Sequence, residues 1–418
     1  MSIGKKTATV LAVGSLLTLS GLAAAPTASA AAVGSAQPAP AVVTGAGGDQ
    51  LASYDPATGQ AVLTTGTAAP GQTASGSKPG GVKVGQVIDN PPTPAAPKGA
   101  LLVVTAAQPA ADGKQTVSTR PAAVNELLGD TTASVHTALA PASVQVDSQV
   151  PGLQVGYVPR IDGASGSSSM SLKLSADTDL DLPDGTSAAF SGSMSLEPSI
   201  DFDYTGTAFD LQHAHVGFQS DTEADWHVAG TFKAGTGTIK VPLASLKAAP
   251  VIWVGVVPVV VNVDLTLYAD VSANGTVTVD TEQSYSDNWG VHSDYTKEDG
   301  WSSDSDQGSP ELSPPAGSIS GRGDIHTGLL TEGTVAIFDD LGVKADIEPY
   351  LRTVVSGSAT FDDDGGLVNK KGSVKLYGGI DIGGALMARL RILSTTFFEK
   401  DLPFTVYHDE WPVPLSQD

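Results

Sequence analysis

The ten residues Val261-Asn-Val-Asp-Leu-Thr-Leu-Tyr-Ala-Asp270 alternate between apolar and polar side chains. Successive side chains of a β-strand point to opposite faces, so this stretch turns an apolar row to a core and a polar row to solvent. The same period of two recurs at residues 170–175, 200–204 and 374–382. Half-buried antiparallel strands produce this pattern, which predicts a mainly β fold with a large, antiparallel β-sandwich-like domain over residues 150–418.

Turn dipeptides separate several of these stretches, namely Asp184-Gly185, Asn274-Gly275 and Asp364-Gly365. Such pairs tolerate the positive φ angles of tight hairpin turns. We therefore expect Asn274-Gly275 to join residues 261–272 to residues 276–280 as adjacent antiparallel strands.

The apolar run over residues 251–263 leads directly into the alternating stretch. It is too short to span a bilayer. Its β-branched composition predicts two strands buried on both faces, broken at Pro258 because proline supplies no N–H to a ladder.

A smaller β-rich module is predicted over residues 82–130, with short strands near 82–88, 101–105 and 115–118. Its one short helix is expected over residues 121–128, since Pro121 suits a first helical turn and Gly129 ends the helix. We expect residues 131–149 to connect this module to the large domain.

The segment over residues 31–81 is rich in Ala, Gly, Pro and Thr and poor in large apolar residues. Such a composition buries little surface and predicts a mostly flexible linker. Within it, residues 51–54 and 61–63 flank a Pro- and Gly-containing turn and are typical of a small hairpin.

The first thirty residues have the pattern of a secretory signal peptide. Lys5 and Lys6 precede an uncharged apolar stretch, and Ala28-Ser29-Ala30 has the small-x-small form of a cleavage site. We expect a secreted, extracellular protein that begins at or near Ala31 and keeps no transmembrane anchor after cleavage.

The chain is strongly acidic, with 45 Asp and Glu against 22 Lys and Arg and a formal net charge of -23. This charge repels nucleic acid, so no nucleic-acid partner is expected. There is no cysteine, which excludes disulfides, thiolate metal sites and thiol catalysis.

Common catalytic motifs are missing from the sequence: there is no G-x-S-x-G, no H-E-x-x-H, no Walker loop and no G-x-G-x-x-G. No catalytic residue is therefore identified. A secreted hydrolase whose site is assembled from distant residues is one alternative, and a carrier of lipid or another apolar ligand is another.

Two histidines, His213 and His215, stand two residues apart and would share one face of a strand. Both imidazoles could then bind one metal ion, with His227 or Asp225 as a third ligand from the next strand. The favoured alternative is that they are polar residues on a solvent face.

Acidic residues crowd the segments 294–311 and 362–365, and carboxylates are the ligands that calcium prefers. Neither segment has the spacing of an EF-hand loop, which favours solvated turns. Calcium therefore stays an open alternative, and no other cofactor is expected.

Aromatic residues are sparse, yet Trp289, Tyr295 and Trp301 fall close together in the Ser- and Asp-rich stretch 287–310. We expect this stretch to be an exposed excursion from the β domain. Its aromatic rings are candidates to bind polysaccharide or cell-wall material. The favoured alternative is structural, with each tryptophan anchoring a long loop to the sandwich.

Several short segments resemble a module found in many secreted bacterial proteins of unassigned function; they lie at residues 84–88, 97–104 and 119–122. Leu267-Tyr268, Leu376-Tyr377 and Gly300-Trp301 are similar to features of the long β-rich region that follows in those proteins. The resemblance covers residues 82–418 and carries no known activity. The composition is typical of a high-GC, actinobacterial source, and we expect a non-catalytic extracellular binding or cell-surface structural protein.

Overall fold

The computed structural model describes most of the chain after residue 80 and two short stretches before it. The described residues are 42–43, 50–64, 81–109, 113–140, 143–161, 168–181, 187–207, 210–233, 237–339, 341–392, 395–403 and 407–415. The expected signal peptide, the Asp184-Gly185 turn and much of the expected linker lie outside these residues.

The described chain is almost entirely β-structure, which confirms the mainly β prediction. The first elements are β1 (Val42–Val43), β2 (Gln50–Asp55), β3 (Gln60–Thr64), β4 (Val87–Asn90), β5 (Ala100–Pro109), β6 (Lys114–Pro121) and the helix α1 (Val124–Leu128). Next come β7 (Ala133–Ala138), β8 (Gln145–Ser148), β9 (Gln154–Ile161), β10 (Ser168–Asp181), β11 (Ser187–Thr207), β12 (Asp210–Phe232), β13 (Gly237–Ala248) and β14 (Val251–Val254). The last are β15 (Val257–Thr296), β16 (Gly300–Gln307), β17 (Glu311–Leu312), β18 (Ala316–Ile337), β19 (Leu341–Phe361), β20 (Leu367–Ile392), β21 (Thr395–Pro403) and β22 (Tyr407–Val413).

The small sheet has six strands in the order β1-β4-β5-β6-β3-β2, and only β1 and β4 pair in parallel. The β2–β3 hairpin belongs to this sheet because β3 pairs with β6. Gly59 closes the hairpin turn with φ +67, and a Cβ there would lie 2.4 Å from the Thr119 carbonyl oxygen. The small module therefore includes residues before the expected boundary at 82, and part of the expected linker is sheet.

Helix α1 confirms the short helix that the sequence predicts, but its predicted start is wrong, because Pro121 is the last residue of β6 and pairs with Leu102. Glu126 accepts a hydrogen bond from the Ala123 N–H at 2.9 Å and pairs with both terminal nitrogens of Arg120. Gly129 then ends the helix with φ +54. The helix buries Val124, Leu127 and Leu128, so packing stabilises this single turn.

The small sheet packs on both of its faces. One face encloses a local core that includes Leu63, Ile88 and Leu102. Residues from the opposite face, such as Val87 and Leu101, join the core of the large sheet. The small sheet is thus attached to the large one through a shared apolar layer.

The large sheet has sixteen strands and is organised by the forty-residue strand β15. Along one edge β15 pairs with β18 from Val261 to Glu282. Along the other edge it pairs with β13 up to Ala273 and with β12 from Val277 onward. One strand therefore belongs to two neighbouring parts of the sheet.

The predicted hairpin at Asn274-Gly275 is wrong, because these residues lie inside β15 and pair with Asp324 and Gly323 of β18. Gly275 has φ +117, and a Cβ there would lie 2.3 Å from the Arg322 carbonyl oxygen. The dipeptide marks the place where β15 exchanges β13 for β12 as its neighbour, and glycine permits the local irregularity.

The predicted break at Pro258 is also wrong, since the chain turns at Gly255 and Val256, between β14 and β15. Pro258 pairs with Trp253, one step from the pair that closes the turn. Antiparallel pairs alternate between hydrogen-bonded and non-hydrogen-bonded, so this second pair tolerates a residue without an N–H. The Asp364-Gly365 turn between β19 and β20 is confirmed, with Asp362 accepting hydrogen bonds from two backbone N–H groups.

The expected excursion over residues 287–310 is instead sheet up to Gln307. The end of β15 and β16 form a hairpin whose register runs from Trp289 opposite Gln307 to Thr296 opposite Gly300. Alternation does continue here: Trp289, Val291 and Ser293 are buried, while polar residues between them face outward. The abundance of Ser and Asp conceals this period of two.

The sheet folds so that its two parts pack face to face, which agrees with the sandwich-like prediction. Leu172, Phe218 and Trp289 from one part approach Leu246 and Val263 from the other. Two apolar cavities within the described interior have volumes of about 10 and 20 Å³, so each is too small for a lipid chain. No described helix has the length and apolar character needed to cross a membrane.

Candidate functional site

The predicted aromatic trio divides into one core residue and one partly exposed pair. Trp289 is 4% exposed, packs on Phe218 and donates a hydrogen bond from Nε1 to the Thr222 hydroxyl at 2.9 Å. Tyr295 and Trp301 pair across the hairpin, with ring centroids 5.3 Å apart. Trp289 is thus a core residue, as the structural alternative predicts. Binding by Tyr295 and Trp301 stays a prediction.

The two predicted metal-binding histidines, His213 and His215, lie on the outer face of β12. His227 and Asp225, the suggested third ligands, lie on this same strand and not on the next one. They are at least ten residues further along it than His215. The residues that register places beside His215 are Asp294 and, one step along, His292. The predicted third ligands are therefore wrong, and the neighbours of His215 on the next strand are Asp294 and His292 instead.

The outer-face cluster consists of His215, Asp294, His292 and Asp306, which form a chain of polar contacts. Asp294 contacts the Nδ1 of His215 at 2.8 Å and the Nε2 of His292 at 3.4 Å. The Nδ1 of His292 contacts Asp306 at 3.1 Å. The two imidazoles stack with centroids 5.5 Å apart, and each has a carboxylate partner, so the cluster is satisfied without an ion.

The acidic segments proposed for calcium serve mainly local structure. Asp299 and Thr296 exchange hydrogen bonds at the β15–β16 turn. Asp306 contacts His292. Calcium binding in these segments stays a prediction.

A second cluster, which the sequence did not reveal, brings together Asp270, His326 and Glu348. They lie on three neighbouring strands, β15, β18 and β19. One potential ligand atom from each residue lies within 4.8 Å of the others. The Nε2 of His326 is 2.8 Å from Oε1 of Glu348.

Asp270 is the unusual member of this triad. It faces away from the main core on its strand, as the alternation predicts, yet it is only 3% exposed. No hydrogen bond to its carboxylate is formed among the described residues. Burial, followed by the negative charge of Glu348, raises the pKa of Asp270 to about 6, while His326 and Lys240 oppose this shift.

Glycines and one tyrosine shape the triad. A Cβ on Gly328 would lie 3.0 Å from Oε1 of Glu348, so the absent side chain leaves room for that carboxylate. Tyr350 stacks on His326 with centroids 4.3 Å apart. Its ring covers Gly379, where a Cβ would lie 2.2 Å from the ring. Tyr350 is 2% exposed and covers one face of the His326 ring.

A third feature is an open groove of about 680 Å³ on a different part of the sheet. Its lining comprises three carboxylates, three serines and five less polar residues: Glu223, Asp225, Glu311, Ser284, Ser286, Ser313, Ala224, Tyr285, Pro310, Leu312 and Trp411. Trp411 is half-buried. A Cβ on Gly378 would lie 2.9 Å from its Nε1, so this glycine lets the indole approach the backbone closely.

The polar groups of the groove lie in rows set by strand pairing. Glu223 of β12 lies opposite Ser286 of β15, which lies opposite Glu311 of β17. Asp225 lies opposite Ser284 in the adjacent row. Strands stand about 4.8 Å apart, so the Glu223 and Glu311 backbones are separated by about 10 Å. The groove therefore offers hydrogen-bond acceptors at regular intervals beside one aromatic ring.

Comparisons with models of protein families, with curated proteins and with solved structures found no match. The sites are therefore interpreted from their own geometry.

Proposed function

We propose that the protein is a secreted, non-catalytic extracellular binding protein, and that the groove beside Trp411 holds a neutral glycan strand of cell-wall or other extracellular polysaccharide. The groove's combination of the half-buried Trp411 ring with rows of carboxylates and hydroxyls carries this proposal. Aromatic faces pack on the apolar face of a sugar ring, and carboxylates accept hydrogen bonds from its hydroxyls.

The charge of the protein supports a neutral ligand. The formal net charge is -23, and three carboxylates line the groove itself. A polyanionic polymer would be repelled at long range and again within the groove. A neutral glycan avoids this repulsion and still satisfies the polar rows.

The openness of the groove supports a polymer over a small molecule. Small-molecule sites bury most of the ligand surface, whereas this groove is a broad surface feature bounded by β12, β15, β17 and β22. A chain of sugars can enter and leave such a groove along its length.

Retention on insoluble peptidoglycan and on neutral β-glucans tests the proposal. Trp411→Ala should lose retention, whereas Trp253→Ala should keep it, because Trp253 is 59% exposed on the β14–β15 hairpin and lies outside the groove. Trp301→Ala tests the aromatic pair on the β15–β16 hairpin. Equal retention of wild type and Trp411→Ala, or no retention of wild type on any of these glycans, contradicts the proposal.

A loss caused by misfolding must be separated from a loss of binding. Glu311→Gln changes only a groove carboxylate on an exposed residue, so it should weaken retention while leaving thermal unfolding unchanged. Unchanged retention in both Glu311→Gln and a folded Trp411→Ala variant would place binding elsewhere.

A glycan hydrolase is the second candidate function, favoured by Glu223 and Glu311 on either side of Ser286. Inverting glycosidases place two carboxyl groups about 6.5–9.5 Å apart around the scissile bond. Release of reducing ends from the retained glycan, abolished in Glu223→Gln, would favour the hydrolase. Retention without release favours the binding protein.

A further inference from the structure

We propose that Asp270, His326 and Glu348 form a binding site for one divalent transition-metal ion, Zn²⁺. The proposal goes beyond glycan binding and uses residues that line no part of the groove. It rests on the convergence of three ligand-type side chains, one of them a buried carboxylate to which no residue of the described part of the chain donates a hydrogen bond.

The geometry needs only a small adjustment to hold an ion. Ligand atoms around a tetrahedral Zn²⁺ lie about 3.4 Å apart, given bonds of about 2.1 Å. The three potential ligand atoms here lie within 4.8 Å of one another, and the His326 Nε2 to Glu348 Oε1 distance is 2.8 Å. A rotation of the Asp270 carboxylate would complete a three-ligand set with an open fourth position for water.

The buried Asp270 distinguishes this cluster from the other histidine–carboxylate contacts of the molecule. A buried carboxylate without a hydrogen bond is unfavourable unless a cation or proton compensates it. Asp270 is 3% exposed, and Lys240, the lysine beside it in register, contacts Glu332 at 2.8 Å. An ion between Asp270, His326 and Glu348 would supply the missing positive charge.

The surroundings of the triad favour a transition metal over calcium. Calcium takes six to eight oxygen ligands in a flexible, usually hydrated cage. The triad offers one imidazole and two carboxylates, and Tyr350 covers His326 at a centroid distance of 4.3 Å. One imidazole with carboxylates is a typical ligand set for Zn²⁺.

The nearby charges also favour a cation. Glu332 and Glu348 both raise the pKa of Asp270 through their negative charge. His326 and Lys240 act in the opposite direction. An imidazole that binds a metal ion is neutral, so with the ion bound the carboxylates of Asp270, Glu332 and Glu348 face the single charge of Lys240, and the local field attracts a positive ion.

Zinc titration of untagged, chelator-treated full-length protein tests the site, with a chromophoric chelator as competitor. Wild type should bind one Zn²⁺ tightly per chain. Asp270→Asn, His326→Gln and Glu348→Gln should each lower the affinity by at least a hundredfold. Asp280→Asn is the matched control, because Asp280 is on the same strand and contacts His227 at 2.7 Å without a third ligand; its affinity should equal that of wild type.

X-ray absorption of the zinc-loaded wild type provides a readout that does not depend on how the variants fold. The triad predicts one imidazole and otherwise oxygen ligands. Two imidazoles would move the ion to His215 and His292 and overturn the proposal. Absence of tight binding by wild type, or unchanged affinity in folded Asp270→Asn, would also overturn it.

Discussion

The small sheet buries Asp89 and the large sheet buries Asp270, and these two aspartates differ in what surrounds them. Asp89 lies in β4 of the small sheet, is fully buried, and burial alone raises its pKa to about 8. Asp270 lies in β15 of the large sheet, and burial acts there together with Glu348, against His326 and Lys240. At Asp89 burial only raises the pKa of the carboxyl group. At Asp270 the buried carboxyl group also lies beside two other potential ligands, which makes a candidate metal-binding site.

The position of Asp89 explains why burial raises its pKa. β4 has Val87 and Asp89 on one face, and Val87 packs into the core shared with the large sheet. The residue opposite Asp89 in β5 is Leu101, which is also buried. An acid in such an apolar layer gains nothing from ionising, so we interpret it as a structural element of the layer between the sheets.

The largest predicted effect concerns Asp89 and pH. A folded-state pKa of about 8 lies above the unfolded value of 3.8, so the folded protein holds a proton that the unfolded chain releases. Stability is therefore fully present below about pH 4 and declines as the pH rises through 8. Asp89→Asn should remove this decline, and above pH 8 it should exceed wild type by on the order of 5 kcal/mol. Urea unfolding of both proteins from pH 5 to 9 measures the difference; parallel curves would show that Asp89 does not titrate in this range.

The second predicted effect separates the two aspartates directly. With chelator present, Asp270→Asn should stabilise the protein by about 3 kcal/mol at pH 8, because it removes a charge whose burial outweighs the opposing influence of His326 and Lys240. Saturating Zn²⁺ should reverse the sign, since only wild type gains binding energy from the ion. Asp89→Asn should show the same stabilisation with and without zinc. Thermal unfolding of wild type and both variants, with and without zinc, measures these differences. Identical responses of the two variants to zinc would contradict a metal-binding role for Asp270.

The third effect tests the contact between the two sheets. Gly99 has φ +75, and a Cβ there would lie 2.9 Å from a methyl carbon of Val260. Gly99→Ala should cost about 2 kcal/mol, from left-handed strain and from the clash with β15. Gly85→Ala is the control, because Gly85 has φ +87 but nothing within 4 Å of its added Cβ; it should cost about half as much in urea unfolding. Equal costs would mean that the Val260 contact yields without resistance.

The smallest effect concerns the ion pair that also links the sheets. Lys98 contacts Asp264 at 2.5 Å, and its side chain is 54% exposed. Lys98→Ala should therefore cost less than about 1 kcal/mol and matter less at high salt. A cost as large as that of Gly99→Ala would show that charge, not packing, holds the two sheets together.

Local patterns in the sequence predicted much of the fold. Alternation over residues 261–270 identified β15, and Gly129 correctly placed the end of the helix, whereas Pro121 belongs to β6 and not to the first helical turn. Asn274-Gly275 misled because the same dipeptide suits a hairpin turn and a mid-strand irregularity. Only the pairing of β15 with both β13 and β12 decides between them.

The candidate sites were harder to predict because they depend on register between distant segments. Asp270 has the pattern of an ordinary solvent-facing residue, and the two residues that meet it, His326 and Glu348, lie on strands more than fifty positions later. Trp411 reaches the groove only because β22 pairs with β20. Sequence spacing alone places His213 and His215 on one face of a strand, but no local signal in the sequence pointed to His292.

The forty-residue strand β15 also has a consequence for the order in which the molecule assembles. Its partners on one edge, β12 and β13, are synthesised before it, whereas its partner on the other edge, β18, is synthesised after it. Val261, for example, cannot pair until Ile337 has been synthesised. Contacts this distant in sequence slow folding, and until they form the strand presents unpaired edges to other chains. The large negative charge then acts during folding, because mutual repulsion keeps incompletely folded chains apart until β18 pairs with the edge of β15.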